Sequence, residues 1–229
     1  MNLLFVMLQT DLPVPTVVKE SYFSILLKGG WILLPIFLLL FIAIFVIIER
    51  WIVIQSAENK DNSWFSRVME LIKDKKPAKA AMYCAGKKNA SAKVISAGLE
   101  NVENDMIDIQ EVMQLEARQE VARMEKGLNY LGITAAIAPM MGFLGTIFGV
   151  INIFYNISVT NDLSIASISD GLYQKMICSG VGLFVGIIAY SGYYLLNGKI
   201  DNVVSRMEKD SGEALKYIRQ LKKGFGNEN

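Results

Sequence analysis

Thr146 stands in Ala138-Pro139-Met140-Met141-Gly142-Phe143-Leu144-Gly145-Thr146-Ile147-Phe148-Gly149-Val150, a run without a charged residue. Gly142, Thr146, Gly149, Ile153 and Asn156 recur at intervals of four and three, so on a helix they share one face. A hydroxyl on such a face can look into a polar lumen or bond back to a carbonyl of its own helix. A second apolar run repeats the pattern: Lys175, Ser179, Gly182, Gly186 and Ala189 share a face, with Gly180 and Gly192 beside it. An ammonium at mid-bilayer costs about 2.5–3.5 kcal/mol on insertion scales, so Lys175 is expected to snorkel to the outer interface or to meet an acid. Asp170 and Gln174 extend a polar patch around it. Thr146, Ser179, Gln174, Lys175 and Asn156 are the candidate lining of a polar lumen. No Asp or Glu lies within the apolar runs, so a titrating carboxylate would have to come from another chain. The plainer role is helix packing, assigned to Pro139, Gly142, Gly145, Gly149, Gly182 and Gly186, with Gly145 and Gly149 a small-xxx-small pair.

The rest of the composition argues against an enzyme. The 229 residues include no histidine, which removes the commonest near-neutral acid/base group, the commonest metal ligand and every Ser-His or Cys-His pair. The two cysteines, Cys84 and Cys178, fall in segments expected in different phases, and both read as small packing residues. None of GxSxG, HExxH or GxxxxGK[ST] occurs, and no catalytic residue, metal site or cofactor is expected. Lys plus Arg is 23 against 22 Asp plus Glu, so no broad basic surface invites nucleic acid.

A spanning helix needs about 20 mostly apolar residues. Three charge-free stretches qualify, from Gly29 to Ile48, from Gly127 to Asn161 and from Met176 to Gly198. Trp31 and Trp51 bracket the first, roughly 30 Å apart at about 1.5 Å per residue, as interfacial anchors. Tyr130 and Tyr155, then Tyr173 and Tyr193, mark the other two. The second stretch exceeds a bilayer's thickness, so its helix is expected to project or tilt. Residues 49–126 carry 13 Lys/Arg and the tail from Lys199 carries 7, whereas 157–168 carry none. The cation excess marks the cytoplasmic side, giving three spans with the N-terminus out and the C-terminus in. The expected organisation is an outer-side segment 1–28, transmembrane helices at 29–48, 127–156 and 169–198, a cytoplasmic helical region 49–126, a short outer loop 157–168 and a cytoplasmic helix 199–229. The first residues lack the charged start of a signal peptide and are kept in the mature chain.

Within 49–126, Val102, Met106, Ile109, Met113, Ala117, Val121, Met124 and Leu128 form one apolar stripe on a helix expected to run straight into the second span. Glu100, Glu103, Asp108, Glu111, Glu116, Arg118, Glu120 and Arg123 read as its solvated face. The stripe is expected to pack on helical pieces near Trp64–Leu71 and Ala78–Ala85, or on the same helix of a neighbouring copy. Past the last span, Val203, Met207, Leu215, Ile218 and Leu221 suggest another amphipathic helix, completing a cytoplasmic bundle.

The string APMMGFLGTIFGVINIFYNIS strongly resembles the second-span signature of the ExbB/TolQ/MotA proton-channel family, most closely its ExbB members, and GLYQKMICSGVGLFVGIIAYSGYYLLN is similar to that family's last span. The resemblance runs from Gly29 to the tail. It implies an all-α integral membrane protein with three transmembrane helices, long helices extending into the cytoplasm, and a homo-pentameric ring in the bacterial inner membrane. In such rings the second and third spans line a pore around single-span helices of an ExbD/TolR-like partner, whose membrane aspartate takes the proton. By position, Thr146 corresponds to the pore-facing threonine of the second span and Ser179 to the second threonine of a pair in the third. Where the family often has Glu, this chain has Gln174 followed by Lys175. The implied function is energising a TonB-like protein for outer-membrane import, with H⁺ as the transported ion; TolQ-like envelope maintenance and a MotA-like stator are the alternatives. A self-contained secondary transporter would need coupling residues within its spans and usually an internal repeat, and neither is visible.

Overall fold

The computed structural model describes residues 32–58, 63–160 and 164–226, and every regular element among them is a helix. Segment 1–28 and Trp31 lie outside the described residues. The helices are α1 (Leu33–Ala57), α2 (Ser63–Lys73), α3 (Pro77–Ala85), α4 (Ala90–Glu100), α5 (Met106–Glu125), α6 (Leu128–Thr160) and α7 (Ile165–Gly226). Three stretches, Leu33–Ala57, Met106–Thr160 and Gly171–Lys222, hold segments long and apolar enough to cross a membrane.

Each spanning stretch departs from its expected limits for a local reason. Helix α1 runs nine residues past Ile48 before ending. Pro35 falls in its first turn, where the missing N–H has no helical acceptor to lose. The stripe helix does not run straight into the second span. It stops at Lys126 (φ −53°, ψ 120°) and Gly127 (φ 87°), the dihedrals of a type II turn, whose second central residue favours glycine. Helix α6 then continues to Thr160, four residues past the expected limit, so the connection to α7 is shorter than 157–168. The hydroxyls of Ser158 and Thr160 donate to the carbonyls of Tyr155 and Asn156, closing the last turn internally.

The tail is not a separate helix. Third span and tail form one α7 of 62 residues, because nothing after Ile165 breaks it: no proline occurs, and Gly198 and Gly212 stay helical. α6 and α7 pack antiparallel along most of α6, and α1 lies against both.

The shorter helices and the second half of α7 enclose an apolar core. Trp64, Val68, Met69 and Ile72 line the buried face of α2, which closes in a Schellman motif: the amide N–H of Lys76 donates to the Leu71 carbonyl (3.1 Å) and that of Lys75 to the Ile72 carbonyl (3.1 Å). Lys75 takes the left-handed position (φ 58°), and Pro77 opens α3 at once. The sequence pattern does not single out α4, yet it is central. Ala90, Ala92, Val94, Ile95 and Leu99 are buried, and Ser96 Oγ donates to the Ala81 carbonyl (3.2 Å). Ile109, Met113, Met124 and Leu128 of the stripe meet this core.

Glu120 corrects the expected solvated face: it is 6% exposed, accepting from Lys93 Nζ at 2.7 Å and Arg123 Nη1 at 3.3 Å. Arg50, buried in the C-terminal third of α1, donates to the Arg123 carbonyl at 3.1 Å. The break at Gly127 leaves the last carbonyls of α5 without helical acceptor duty, and a cation there also complements the helix dipole. Cys84 is fully buried, and that burial pushes its thiol up to about 12, fitting an inert packing residue.

Candidate functional site

The site is built on the seam between α6 and α7, where glycines set the distance between backbones. A Cβ on Gly182 would lie 2.6 Å from the Ala138 carbonyl oxygen and 2.9 Å from Gly142 Cα. One on Gly142 would meet Ser179 Cα at 3.1 Å, and one on Gly145 would meet Cys178 Sγ at 2.8 Å. In lipid, helices gain nothing from hiding apolar surface, so close van der Waals contact of this kind is what holds them. Pro139 adds a further fit. Lacking an N–H, it cannot bond the Ala135 carbonyl, and Gly186 of α7 lies over both the proline ring and that oxygen, where a Cβ would come within 2.5 and 3.2 Å.

The paired contacts fix the register. Gly142 faces Ser179, Gly145 faces Cys178, Gly149 faces Lys175 and Ile153 faces Gly171. Thr146 therefore stands level with Cys178 and Ser179, so the two hydroxyls share one depth in the membrane. They also share one flank. Gly145 touches Ile32, just ahead of α1, as well as Cys178, and Gly192 touches Ile47 of α1, so α1 closes one side of the pair. Thr146 and Ser179 each follow a member of the Gly145–Cys178 contact by one residue. That step of about 100° turns in the same lateral sense on two antiparallel helices, carrying both hydroxyls to the flank away from α1. Both residues are half-buried there, and Thr146 Oγ1 donates to the Phe143 carbonyl at 2.6 Å. This bond leaves the hydroxyl oxygen's lone pairs as acceptors.

Lys175 lies one turn, about 5 Å, nearer the Tyr155 end. Its aliphatic stem lies across Gly149, where a Cβ would collide with three of its carbons, the nearest at 2.0 Å. Neither an ion pair nor a hydrogen bond holds its ammonium among the described residues. Gln174, one residue earlier, turns toward the α1 side of the pair and is half-buried. Asn156 sits two turns beyond Gly149, exposed, and is apart from the two hydroxyls. The structure thus brings Thr146, Ser179 and Lys175 together and leaves Gln174 and Asn156 off the shared flank. The side chain of Asp170 lies outside the described residues. What the sequence alone does not reveal is the Gly149–Lys175 contact and the equal depth of the hydroxyls, because both depend on the register between two runs separated by a turn.

No group of three or more potential metal ligands occurs among the described residues. Chemically, the flank offers two hydroxyls that can exchange hydrogen bonds with a passing polar group, and one fixed cation beside them.

Three helical stretches long and apolar enough to span, joined to a bundle of shorter helices, make this a multi-pass membrane protein. Residues 86–209 match the model of the MotA/TolQ/ExbB proton channel family, and the chain belongs to that family. It is 29% identical over 120 residues to a biopolymer transport protein ExbB homolog of Methanothermobacter thermautotrophicus, covering 52% of this chain and 42% of that protein. It is 28% identical over 171 residues to an ExbB-like biopolymer transport protein of Synechocystis, covering 71% and 65%. With the Tol-Pal system protein TolQ of Pseudomonas aeruginosa it shares 23% identity over 101 residues, 44% of each chain. The matched stretch spans about two fifths of the length of the first and last of these relatives.

Proposed function

We propose that this chain is the ring-forming subunit of a proton-motive-force-driven machine of the bacterial inner membrane, with its N-terminus outside and its C-terminus in the cytoplasm. In this reading five copies turn the Thr146–Ser179 flank of α6 and α7 toward a shared axis, with α1 at the periphery. The axis holds single-span helices of an ExbD/TolR-like partner carrying a membrane aspartate, and the partner complex drives a TonB-like protein that energises outer-membrane import. The observation that carries the reading is the pair of hydroxyls at one depth on the flank that α1 leaves open.

The chain's own residues set the electrostatics of the path. An ionised partner carboxylate moving along the flank would exchange hydrogen bonds with Ser179 and Thr146, while its protonated form would pass the apolar wall at lower cost. Lys175, one turn outward, favours the ionised form: an opposite charge within about 4–6 Å lowers a carboxyl pKa by about 1–3 units. One charge crossing the membrane potential releases about 2.3 kcal/mol per 100 mV, the free energy available to each step.

The test is Thr146→Val in the complete complex. Energised transport should fall at least tenfold, while the intact mass of the detergent-solubilised assembly stays that of five copies plus a one-span protein. Retained transport would remove the hydroxyl from the mechanism, and a lone monomer under gentle extraction would remove the ring. The likeness to TolQ supports a second reading, in which the same machine maintains the envelope; loss of envelope integrity with import intact in a deletion strain would favour it.

A further inference from the structure

A cavity of about 600 Å³ opens beside the inner end of α1, lined by Ile52, Lys87, Lys88, Lys93, Glu120 and Arg123 among others. Four cations face one acid. The contrast with its neighbours is chemical. The cavity between α7 and Glu58, Trp64 and Phe65 has Glu58, Asp210 and Glu213 against Arg206 and Lys209, and the groove between α5 and α7 has Glu125 and Glu208 against Arg118. Of these three cavities among the described residues, the one beside Ile52 carries an excess of positive charge on walls that reach a membrane span.

Two residues in contact with each other mark its depth. Trp51 is an interfacial residue by sequence, and the Lys199 ammonium of α7 sits 3.3 Å from its ring centroid, marking the membrane edge on a second span. The α1 residues of the cavity, Ile52 to Ala57, follow Trp51 by one to six positions, or roughly 1.5–9 Å along the helix. This is within one Debye length of a headgroup layer. Ile52 is 62% exposed, an apolar wall continuous with the lipid-facing side of α1.

The cations divide into two pairs. Lys93 and Arg123 converge on Glu120 and are held in place by it. Lys87 and Lys88 are exposed and have no acidic partner among the described residues, with Lys87 resting 5.2 Å from the Tyr83 ring. Two fixed and two available cations beside an apolar wall match a molecule with an anionic head and a hydrocarbon tail.

We infer that this cavity binds the headgroup of an anionic phospholipid, its phosphate between Lys87, Lys88 and Arg123 and its acyl chain along Ile52. The site requires only that the chain be embedded as a membrane protein, and it stands whether or not the ring and its partner are as proposed above. Basic pockets between helices at the membrane edge are a recurrent form of lipid recognition.

The test uses the full chain, purified in mild detergent with phosphatidylglycerol or phosphatidylcholine and read by intact-mass detection of retained lipid. The wild-type protein should retain phosphatidylglycerol selectively. The double variant K87Q/K88Q should lose roughly 30-fold of that retention, corresponding to about 1 kcal/mol for each cation near an anionic surface. The exposed pair K76Q/K79Q, away from the cavity, should leave it unchanged. Equal retention of both lipids, or unchanged retention in K87Q/K88Q, overturns the site. Displacement of the lipid by inorganic phosphate alone would reassign it to a free anion and overturn the lipid proposal. A similar loss in K76Q/K79Q would reduce the effect to net charge and also overturn it.

Discussion

The two halves of α7 run through opposite kinds of surroundings. Before Lys199 its contacts with α6 are set by glycines, with Gly182 backbone to backbone on Gly142 and Gly186 against the Pro139 ring. After it, Ile200, Val203, Met207, Ala214 and Ile218 bury side chains in an aliphatic core that also holds the Glu120–Lys93 ion pair at its edge. In water, apolar burial does the work and a few charges fix the arrangement; in lipid that drive is absent, and closeness replaces bulk.

The sharpest way to break this contrast is Gly182→Val. Its side chain would enter the Ala138 carbonyl, which cannot rotate away, so the cost should lie at or beyond the upper end of the roughly 1–3 kcal/mol range for overpacking. Thermal denaturation in detergent should drop sharply or monodisperse protein should vanish. Gly180→Ala, on the same helix but with nothing within 4 Å of a Cβ, should be nearly silent. Equal damage from both would mean that composition, not the seam, sets stability. Next in size is Glu120→Ala, which strands Lys93. Breaking a fully buried pair costs about 3–5 kcal/mol, but the Lys93 side chain is 27% exposed, so about 2 kcal/mol is expected in chemical denaturation. A neutral result would demote the pair to a surface ornament.

The smallest effect concerns Asp210, whose carboxyl burial holds above its usual value of 3.8 despite the Ser91 hydroxyl hydrogen-bonded to it. A raised acid binds protons more readily folded than unfolded. This residue therefore favours the fold most at acidic pH, and that contribution falls as pH climbs from the unfolded value through the folded one. Asp210→Asn should flatten this drift and leave the neutral-pH midpoint unchanged or a few tenths of a kcal/mol higher, given how open the site is to water. A steeper drift in the variant would refute the assignment.

How far the sequence carries the fold follows the same division. Span positions and glycine faces are legible because lipid imposes simple rules of length, charge exclusion and small-residue spacing. The bundle of shorter helices is less so. α4 is built of alanine, serine and glycine with a weak apolar pattern, and its burial comes from the helices around it rather than from its own periodicity. Glu120 falls on the polar side of the α5 stripe and is buried because Lys93 on α4 reaches it, a contact no spacing rule predicts. Gly127 breaks the stripe helix at a residue that the apolar pattern runs through unmarked. In the candidate site, each hydroxyl was visible, but their common level needed the register of two helices.

The unbroken length of α7 has a mechanical consequence. At about 1.5 Å per residue its 62 residues form a rod roughly 93 Å long. Pivoting that rod about its Ile165 end by about 3° would swing its opposite tip sideways by about 5 Å, close to one helical pitch. A sub-ångström adjustment where Lys175 meets Gly149 would thus be geared up into a displacement large enough to exchange one set of neighbours for another at the far end.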